Sequence, residues 1–181
     1  MHYADIIDSP IGDLCVCSDG ENLSGLWMMG QKYFQATVKS EDLVQISTCG
    51  EHQTGKNLSI FREVRQWLSI YFSGSDPGEL PPIKAEGGEF RQLVWRHLRE
   101  IPYGQLTTYG EIARKVAVEM GKTKMSAQAV GNAVGHNPIS IIVPCHRVVG
   151  SDRSLTGYAS GLGNKRFLLA LEGVDVSSLK T

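Results

Sequence analysis

The residues best suited to do chemistry in this 181-residue chain stand in one short run, Pro144-Cys145-His146-Arg147. A thiol reacts as the thiolate, and a neighbouring base or cation favours that form. His146 offers a base, directly or through a water, and Arg147 a fixed positive charge. A carboxylate that orients the imidazole would complete a relay. Glu172, at the end of RFLLALEG and just before Gly173, has the right chemistry. The plain alternative is a buried structural cysteine beside a surface His-Arg pair.

Several elements must position that run. Ile139, Ile141, Ile142 and Val143 read as a buried strand or extended segment, ended by Pro144, which has no N–H for a ladder. Cys145 would then sit where a rigid element stops. Upstream, EFRQLVWRHLREI presents Phe90, Leu93, Val94, Leu98 and Ile101 as a helical stripe that stops at Pro102-Tyr103-Gly104. TYGEIARKVAVEM opens with Thr108 and, three residues on, Glu111, the pattern of a capping box. Ser126 is placed to cap a third helix that ends near Gly135, before Asn137-Pro138. Two helices joined by a short basic turn with a glycine make a helix-turn-helix candidate. The second carries only small residues at Ala127, Ala129, Gly131, Ala133 and Gly135. Glycine inside a helix costs about 1 kcal/mol against alanine, so close approach of another surface is implied. A neighbouring helix and a DNA groove both qualify. Gln128 and Asn132 share a face and can hydrogen-bond to bases or phosphates.

The first third reads as strands. IGDLCVCS and LSGLWMM flank SDGEN, a hairpin signal. NLSIFREVRQWLSIYF has helical spacing, with Asn57 as N-cap and Leu58, Phe61, Trp67 or Leu68, and Tyr71 or Phe72 on one face. The Gly- and Pro-rich SGSDPGELPPIKAEGG reads as a linker. These signals divide the chain into an N-terminal domain over 1–75, a linker over 76–88 and a C-terminal domain over 89–181. The charge changes with them: residues 1–88 hold 6 Lys and Arg against 12 Asp and Glu, and residues 89–181 hold 12 against 7. The second half is therefore the one suited to an anion. The start MHYADIIDSP lacks a secretory pattern, and no stretch has the apolar length of a membrane span. A cytoplasmic protein with reduced thiols is expected. Cys15 and Cys17 lie at period two on one strand face and read as core residues, not as a zinc knuckle. Metal binding at Cys15, Cys17 or Cys49 stays open as a minority alternative, and no cofactor is called for.

The run PCHRVVG resembles the active-site signature of the O6-alkylguanine-DNA alkyltransferases, also called methylated-DNA–protein-cysteine methyltransferases. The likeness continues through TGYASGLGNKRFLLALEG and back through SAQAVGNAVGHNPISIIV and TTYGEIA, so it covers residues 90–173. It implies an α/β N-terminal domain of ribonuclease-H-like topology and a mainly α C-terminal winged helix-turn-helix domain. It implies repair of double-stranded DNA carrying O6-alkylguanine, and possibly O4-alkylthymine. A monomer with no obligate protein partner is expected, because packing the helices leaves no exposed apolar stripe. The small-residue helix would enter the minor groove and the damaged base would be flipped out, because O6 is shielded inside the duplex. Carried over by resemblance, Cys145 is the nucleophile and alkyl acceptor. His146 takes its proton through a water, Glu172 polarises His146, Tyr109 protonates the departing guanine, and Asn137 braces the turn. Val143, Pro144, Tyr158, Ala159 and Ser160 line the base pocket. Ser126, Ala127, Gln128, Ala129, Gly131 and Asn132 form the DNA face, and Arg147 stabilises the site. Many members carry arginine where this chain has Gln128, which predicts weaker or more salt-tolerant DNA binding here. The S-alkylcysteine product has no acyl carbon for water to attack, so one turnover per molecule is expected.

Three other classes share some of these features. A non-catalytic lesion sensor would lack the cysteine. A transcription regulator would need long polar side chains for the major groove. A cysteine hydrolase would need an oxyanion hole.

Overall fold

The computed structural model describes residues 1–46 and 57–180, which form two compact units. Unit 1 holds Met1–Glu86 with Pro138–Ser140, and unit 2 holds Gly87–Asn137 with Ile141–Thr181. Cys49 lies outside the described residues, as do Thr181 and the side chains of Asn57 and Leu58. No helix among the described residues is long and apolar enough to cross a membrane.

Unit 1 is built on a four-stranded sheet in the order β3-β2-β1-β4. The strands are β1 (His2–Ile7), β2 (Leu14–Ser18), β3 (Leu23–Met28) and β4 (Leu43–Gln45). The expected hairpin is there, with Leu14 opposite Met28 and Cys15 opposite Trp27 in antiparallel register. β4 runs parallel to β1. Every residue of β2 and β3 is buried. Alternation sends Cys15 and Cys17 to one face, where they meet Ala4, Trp27 and Val38 with Phe34 and Leu43. Trp27 folds back over Gly25, whose added Cβ would lie 1.9 Å from the indole. Helix α1 (Asn57–Phe72) packs on β1 and β2. It buries Ile60, Phe61, Val64, Trp67, Leu68 and Tyr71, and Asn57 is its first residue rather than a cap outside it. The stretch expected as a linker is used in part: Leu23 exchanges backbone hydrogen bonds with Pro82 and Lys84.

Unit 2 is mainly helical: α2 (Glu89–Arg99), α3 (Tyr109–Glu119), α4 (Ala127–Gly135) and α5 (Leu162–Leu171). The short strands β5 (Thr107–Thr108) and β6 (Val148–Val149) pair in parallel. α3 starts with the expected capping box, and Ser126 accepts from the Ala129 N–H to cap α4. α2, α3 and α4 pack on one another, and the Trp95 indole N–H donates to the Ala133 carbonyl at 2.9 Å. The buried face of α2 differs from expectation. Val94, Trp95, His97 and Leu98 are buried, while Phe90 and Leu93 are only half so. A stripe of Phe90 and aliphatics misses this, because the indole and the imidazole are the side chains that find partners inside. His97 sits between Glu100 and Glu119.

Candidate active site

The site begins with a correction. Residues 141–143 are buried as expected but form turns, not a strand. Just before them, Ile139 bridges to Leu26 in unit 1, and the Leu26 N–H donates to Pro138 O at 2.8 Å. Ile141 then adopts φ 71, a left-handed conformation that strains a β-branched residue by about 1–3 kcal/mol. The turn is closed from inside by Asn137, whose Nδ2 donates to the Val143 carbonyl at 2.8 Å. That carbonyl also accepts from the Cys145 N–H at 2.8 Å. An apolar run cannot announce this geometry, because the residue that enforces it lies six positions upstream.

Cys145 opens a single 3₁₀ turn, Cys145–Arg147, behind Pro144, and β6 follows at once. The thiol is 6% exposed. Burial pushes its pKa up, while hydrogen bonds from Asn137 and from the Cys145 and His146 N–H groups, together with the Lys165 charge, pull against burial. The resting thiol therefore stays protonated near neutrality.

His146 and Arg147 both point to Glu172, the residue that caps the C-terminus of α5. His146 Nε2 lies 2.6 Å from Glu172 Oε1. Arg147 reaches the same carboxylate with Nε at 2.8 Å from Oε2 and a second nitrogen at 3.0 Å from Oε1. Its remaining arm donates to Ile101 O at 2.6 Å. The Gly104 N–H adds a bond to Glu172 Oε2 at 3.0 Å. Only glycine fits at 104: φ is +71, and a Cβ would sit 2.9 Å from the Glu172 carbonyl oxygen. Burial opposes the charge on Glu172, but His146 and Arg147 outweigh it and hold the carboxyl at about 2. An ionised carboxylate only accepts, so His146 Nε2 carries the ring proton and Nδ1 keeps the lone pair. Burial lowers the His146 pKa, and Glu172 only partly offsets this. The imidazole is thus neutral, aligned and able to take a proton.

Two phenols and a lysine complete the surroundings. Tyr109 at the start of α3 donates to Thr156 O at 3.3 Å. Burial raises its pKa, and a charge on Cys145 would raise it further. The Tyr158 ring packs edge-on to His146 at 6.5 Å, and its hydroxyl is buried without a hydrogen-bond partner among the described residues. Burial holds that phenol well above its usual range. Ala159 and Ser160 are half-buried beside it, and Ser160 accepts from Asn164. Lys165 is wholly buried and donates to Val148 O at 2.6 Å and Thr156 O at 2.9 Å. Burial draws its ammonium down to about 8.

Cys145, His146, Glu172, Asn137, Val143 and Pro144 thus converge, with Tyr109 and Tyr158 in electrostatic reach of the thiol. Of the residues expected to face DNA, Ser126, Ala127, Gln128 and Asn132 are exposed, and Ala129 and Gly131 half-buried. Internal packing does not require the glycines of α4. A Cβ at Gly131 would make ordinary contact with the Tyr109 ring at 3.6 Å, and one at Gly135 would meet nothing. Sequence reasoning missed Gly104 and Lys165. Lys165, Leu168, Leu169 and Glu172 occur at i, i+3, i+4 and i+7, so the available signal was two ionisable residues on the buried stripe of a helix.

The chain as a whole is similar to known proteins. A family model described as "6-O-methylguanine DNA methyltransferase, DNA binding domain" matches residues 89–174, and its ribonuclease-like domain matches residues 1–78. The chain is 43% identical over 174 residues to a methylated-DNA–protein-cysteine methyltransferase of Methanosarcina acetivorans, covering 96% of this chain and 99% of that one. The corresponding protein of Haemophilus influenzae is 39% identical over 173 residues, with 95% and 87% covered. Among solved structures, the Mycobacterium tuberculosis OGT in complex with DNA is similar at TM-score 0.77 and 36% identity, over 99% of this chain and 96% of that one.

Proposed function

Because this chain belongs to the 6-O-methylguanine DNA methyltransferase family, we infer that it repairs alkylated DNA by moving the alkyl group to its own Cys145. The observation that carries this reading is the buried Cys145–His146–Glu172 arrangement, in which a neutral, oriented base stands next to a protonated thiol.

The steps follow from the charges. Double-stranded DNA meets the face of α4 that carries Ser126, Ala127, Gln128, Ala129, Gly131 and Asn132. Glycines that internal packing does not need leave room for a groove edge, and a helix of small residues suits the narrow minor groove. α3 and α4 act as the two helices of a winged helix-turn-helix domain, and unit 1 as the ribonuclease-H-like domain. The target guanine leaves the stack and enters a pocket lined by Val143, Pro144, Tyr158, Ala159 and Ser160. Val143 O already accepts two hydrogen bonds, so its part is to hold the pocket wall. His146 Nδ1, through a water, takes the Cys145 proton while Glu172 stabilises the imidazolium. The sulfur attacks the alkyl carbon, and the S–C bond forms as the C–O6 bond breaks. The electron pair passes to the guanine, which receives a proton from Tyr109. Tyr109 must release Thr156 to do this, and burial keeps its proton in place until then. The thioether product has no route back to the thiol, so each molecule acts once. The protein acts as a cytoplasmic monomer and needs no cofactor for this chemistry.

Intact mass after incubation with excess O6-methylguanine duplex tests the reading. The expected result is a gain of one methylene, saturating at one per protein and mapped to Cys145. Tight binding with unchanged mass would instead make the protein a lesion sensor.

A further inference from the structure

Gln31 follows the end of β3 and is only 6% exposed. A buried amide is costly unless it is hydrogen-bonded. Its Oε1 accepts twice, from the Met28 N–H at 2.9 Å and from the Ser140 hydroxyl at 3.3 Å. Ser140 is itself buried and donates its N–H to Leu26 O at 2.8 Å, while the Leu26 N–H donates to Pro138 O. Ile139 bridges to Leu26 in parallel. Pro138–Ser140 is thus a short extended piece laid against β3, the edge strand of the sheet, and Gln31 ties it there with a side chain.

The turn that carries the sulfur begins where this piece ends. Pro138–Ser140 is counted with unit 1, and the next residue, Ile141, is the one held at φ 71. A strained conformation of this kind persists only where its surroundings over-determine it. On the far side Asn137 holds Val143 O. On the near side the fixing groups are the Ser140 N–H and hydroxyl. Little slack separates Ser140 from Cys145. Ile141, Ile142 and Val143 are buried at 0%, 1% and 2% exposure, and the Pro144 ring limits its own φ. A shift at Ser140 is therefore carried toward the sulfur rather than absorbed on the way.

We propose that Gln31 is a positioning residue for the transfer reaction: through the Ser140 hydroxyl it fixes the point from which the Cys145 turn departs. Its effect is on geometry and not on charge, because both side chains are neutral. The proposal rests on Cys145 being the alkyl acceptor.

The test uses the full chain with Gln31→Met, which keeps the side chain's length and removes the acceptor, with Ser140→Ala, and with the two combined. Thermal melting checks that each is folded. Duplex affinity, single-turnover methyl transfer and the pH profile of carboxamidomethylation by iodoacetamide, read at the Cys145 peptide, are measured separately. Gln31→Met is expected to slow transfer by about 10–100-fold, with duplex affinity and the midpoint of the Cys145 profile unchanged. Ser140→Ala is expected to slow it by about tenfold. The double variant should be hardly slower than Gln31→Met, because without the acceptor the hydroxyl holds nothing. A folded Gln31→Met protein that transfers at the wild-type rate overturns the proposal and leaves Gln31 a packing residue. Single effects that multiply in the double variant also overturn it, as do equal losses of affinity and rate, or a moved Cys145 midpoint. Should Gln31→Met not fold, Ser140→Ala decides, and a wild-type transfer rate there overturns the proposal. A wild type that takes no methyl group from DNA sinks the acceptor reading instead. Amide hydrogen exchange over residues 139–145 then decides for Gln31: Gln31→Met should speed it, and an unchanged pattern means that Gln31 does not hold the turn.

Discussion

Cys15 in the sheet of unit 1 and Cys145 in the turn of unit 2 are both almost wholly enclosed, at 1% and 6% exposure. Their thiols are nevertheless set in opposite directions. The Cys17 S–H donates to Cys15, and Gln35 adds a bond at 3.3 Å, so Cys15 is drawn down to about 7 while Cys17 is pushed far up. Cys145 is held up by burial. By resting acidity alone, Cys15 would be the better nucleophile. Around Cys15, however, stand Ala4, Trp27 and Val38, and the carboxylate in its electrostatic reach, Asp5, is paired with Arg65 and orients no base. Around Cys145 stand a neutral imidazole, an ionised carboxylate and two protonated phenols. A reactive cysteine in this molecule is marked by where its proton can go, not by how readily it leaves. A thiol kept protonated until a substrate arrives is also shielded from stray oxidation.

The most direct way to break that comparison is to exchange the thiols' fates. Cys145→Ala is expected to abolish methyl uptake from O6-methylguanine duplex altogether. The Cys15→Ser, Cys17→Ser double variant should still take up one methyl group per protein. Peptide mapping decides, and an adduct on Cys15 in Cys145→Ala, or loss of uptake in the double variant, would mean that acidity, not proton routing, selects the sulfur.

Glu172→Gln sharpens the contrast. It removes the charge that orients His146 and leaves the buried Arg147 without its counter-ion. Loss of one member of such a pair costs about 3–5 kcal/mol, and loss of an oriented base slows transfer by about 10²–10⁴-fold. The pH dependence follows in sign. The folded carboxyl titrates at about 2, below an unfolded value of about 4.3. Its contribution is therefore complete above about pH 4.3 and fades as pH falls through 2, roughly 3 kcal/mol in all. Denaturant melts from pH 6 to 2 should show that loss in the wild type and a flatter profile in Glu172→Gln. Equal slopes would mean that the carboxylate is not the site's anchor.

These two regions also differ in how plainly the chain announces them. The hairpin around SDGEN, the capping box at Thr108 and Glu111 and the Ser126 cap are local devices, and each reads directly from neighbouring residues. So does Pro-Cys-His-Arg. What holds the thiol is not local. Asn137 closes the turn on Val143, Gly104 donates to Glu172 from 68 positions away, and Arg147 reaches Ile101. The buried strand or extended segment expected over 139–143 holds as burial and gives way to turns at 141–143 for the same reason: apolar residues report burial, and only the Asn137 side chain reports a turn. Lys165 was hidden because a buried lysine contradicts the rule by which helical faces are read.

Asn137→Ala tests that hidden bracing at a smaller scale. Losing a buried donor to Val143 O costs about 1–3 kcal/mol and releases Ile141 from φ 71. Transfer should slow more than binding weakens, because the turn positions the sulfur and not the DNA face. Separate measurement of duplex affinity and single-turnover rate tells the two apart.

Gln128→Arg should have the smallest effect and addresses the outer face of unit 2. Gln128 is exposed on α4 and carries no charge. An arginine there adds one cation near the phosphates and a longer side chain to occupy the space of an extruded base. Each added phosphate contact steepens the dependence of log affinity on log salt by about 0.9. The variant should therefore bind duplex a few-fold more tightly at low salt and lose that advantage as salt rises, with the Cys145 pH profile unchanged. The salt titration is the telling readout. A tighter complex with an unchanged slope would mean that residue 128 fills space without meeting a phosphate. A shifted Cys145 profile would mean that the outer face and the buried charges are coupled, against the separation of proton routing from DNA contact drawn above.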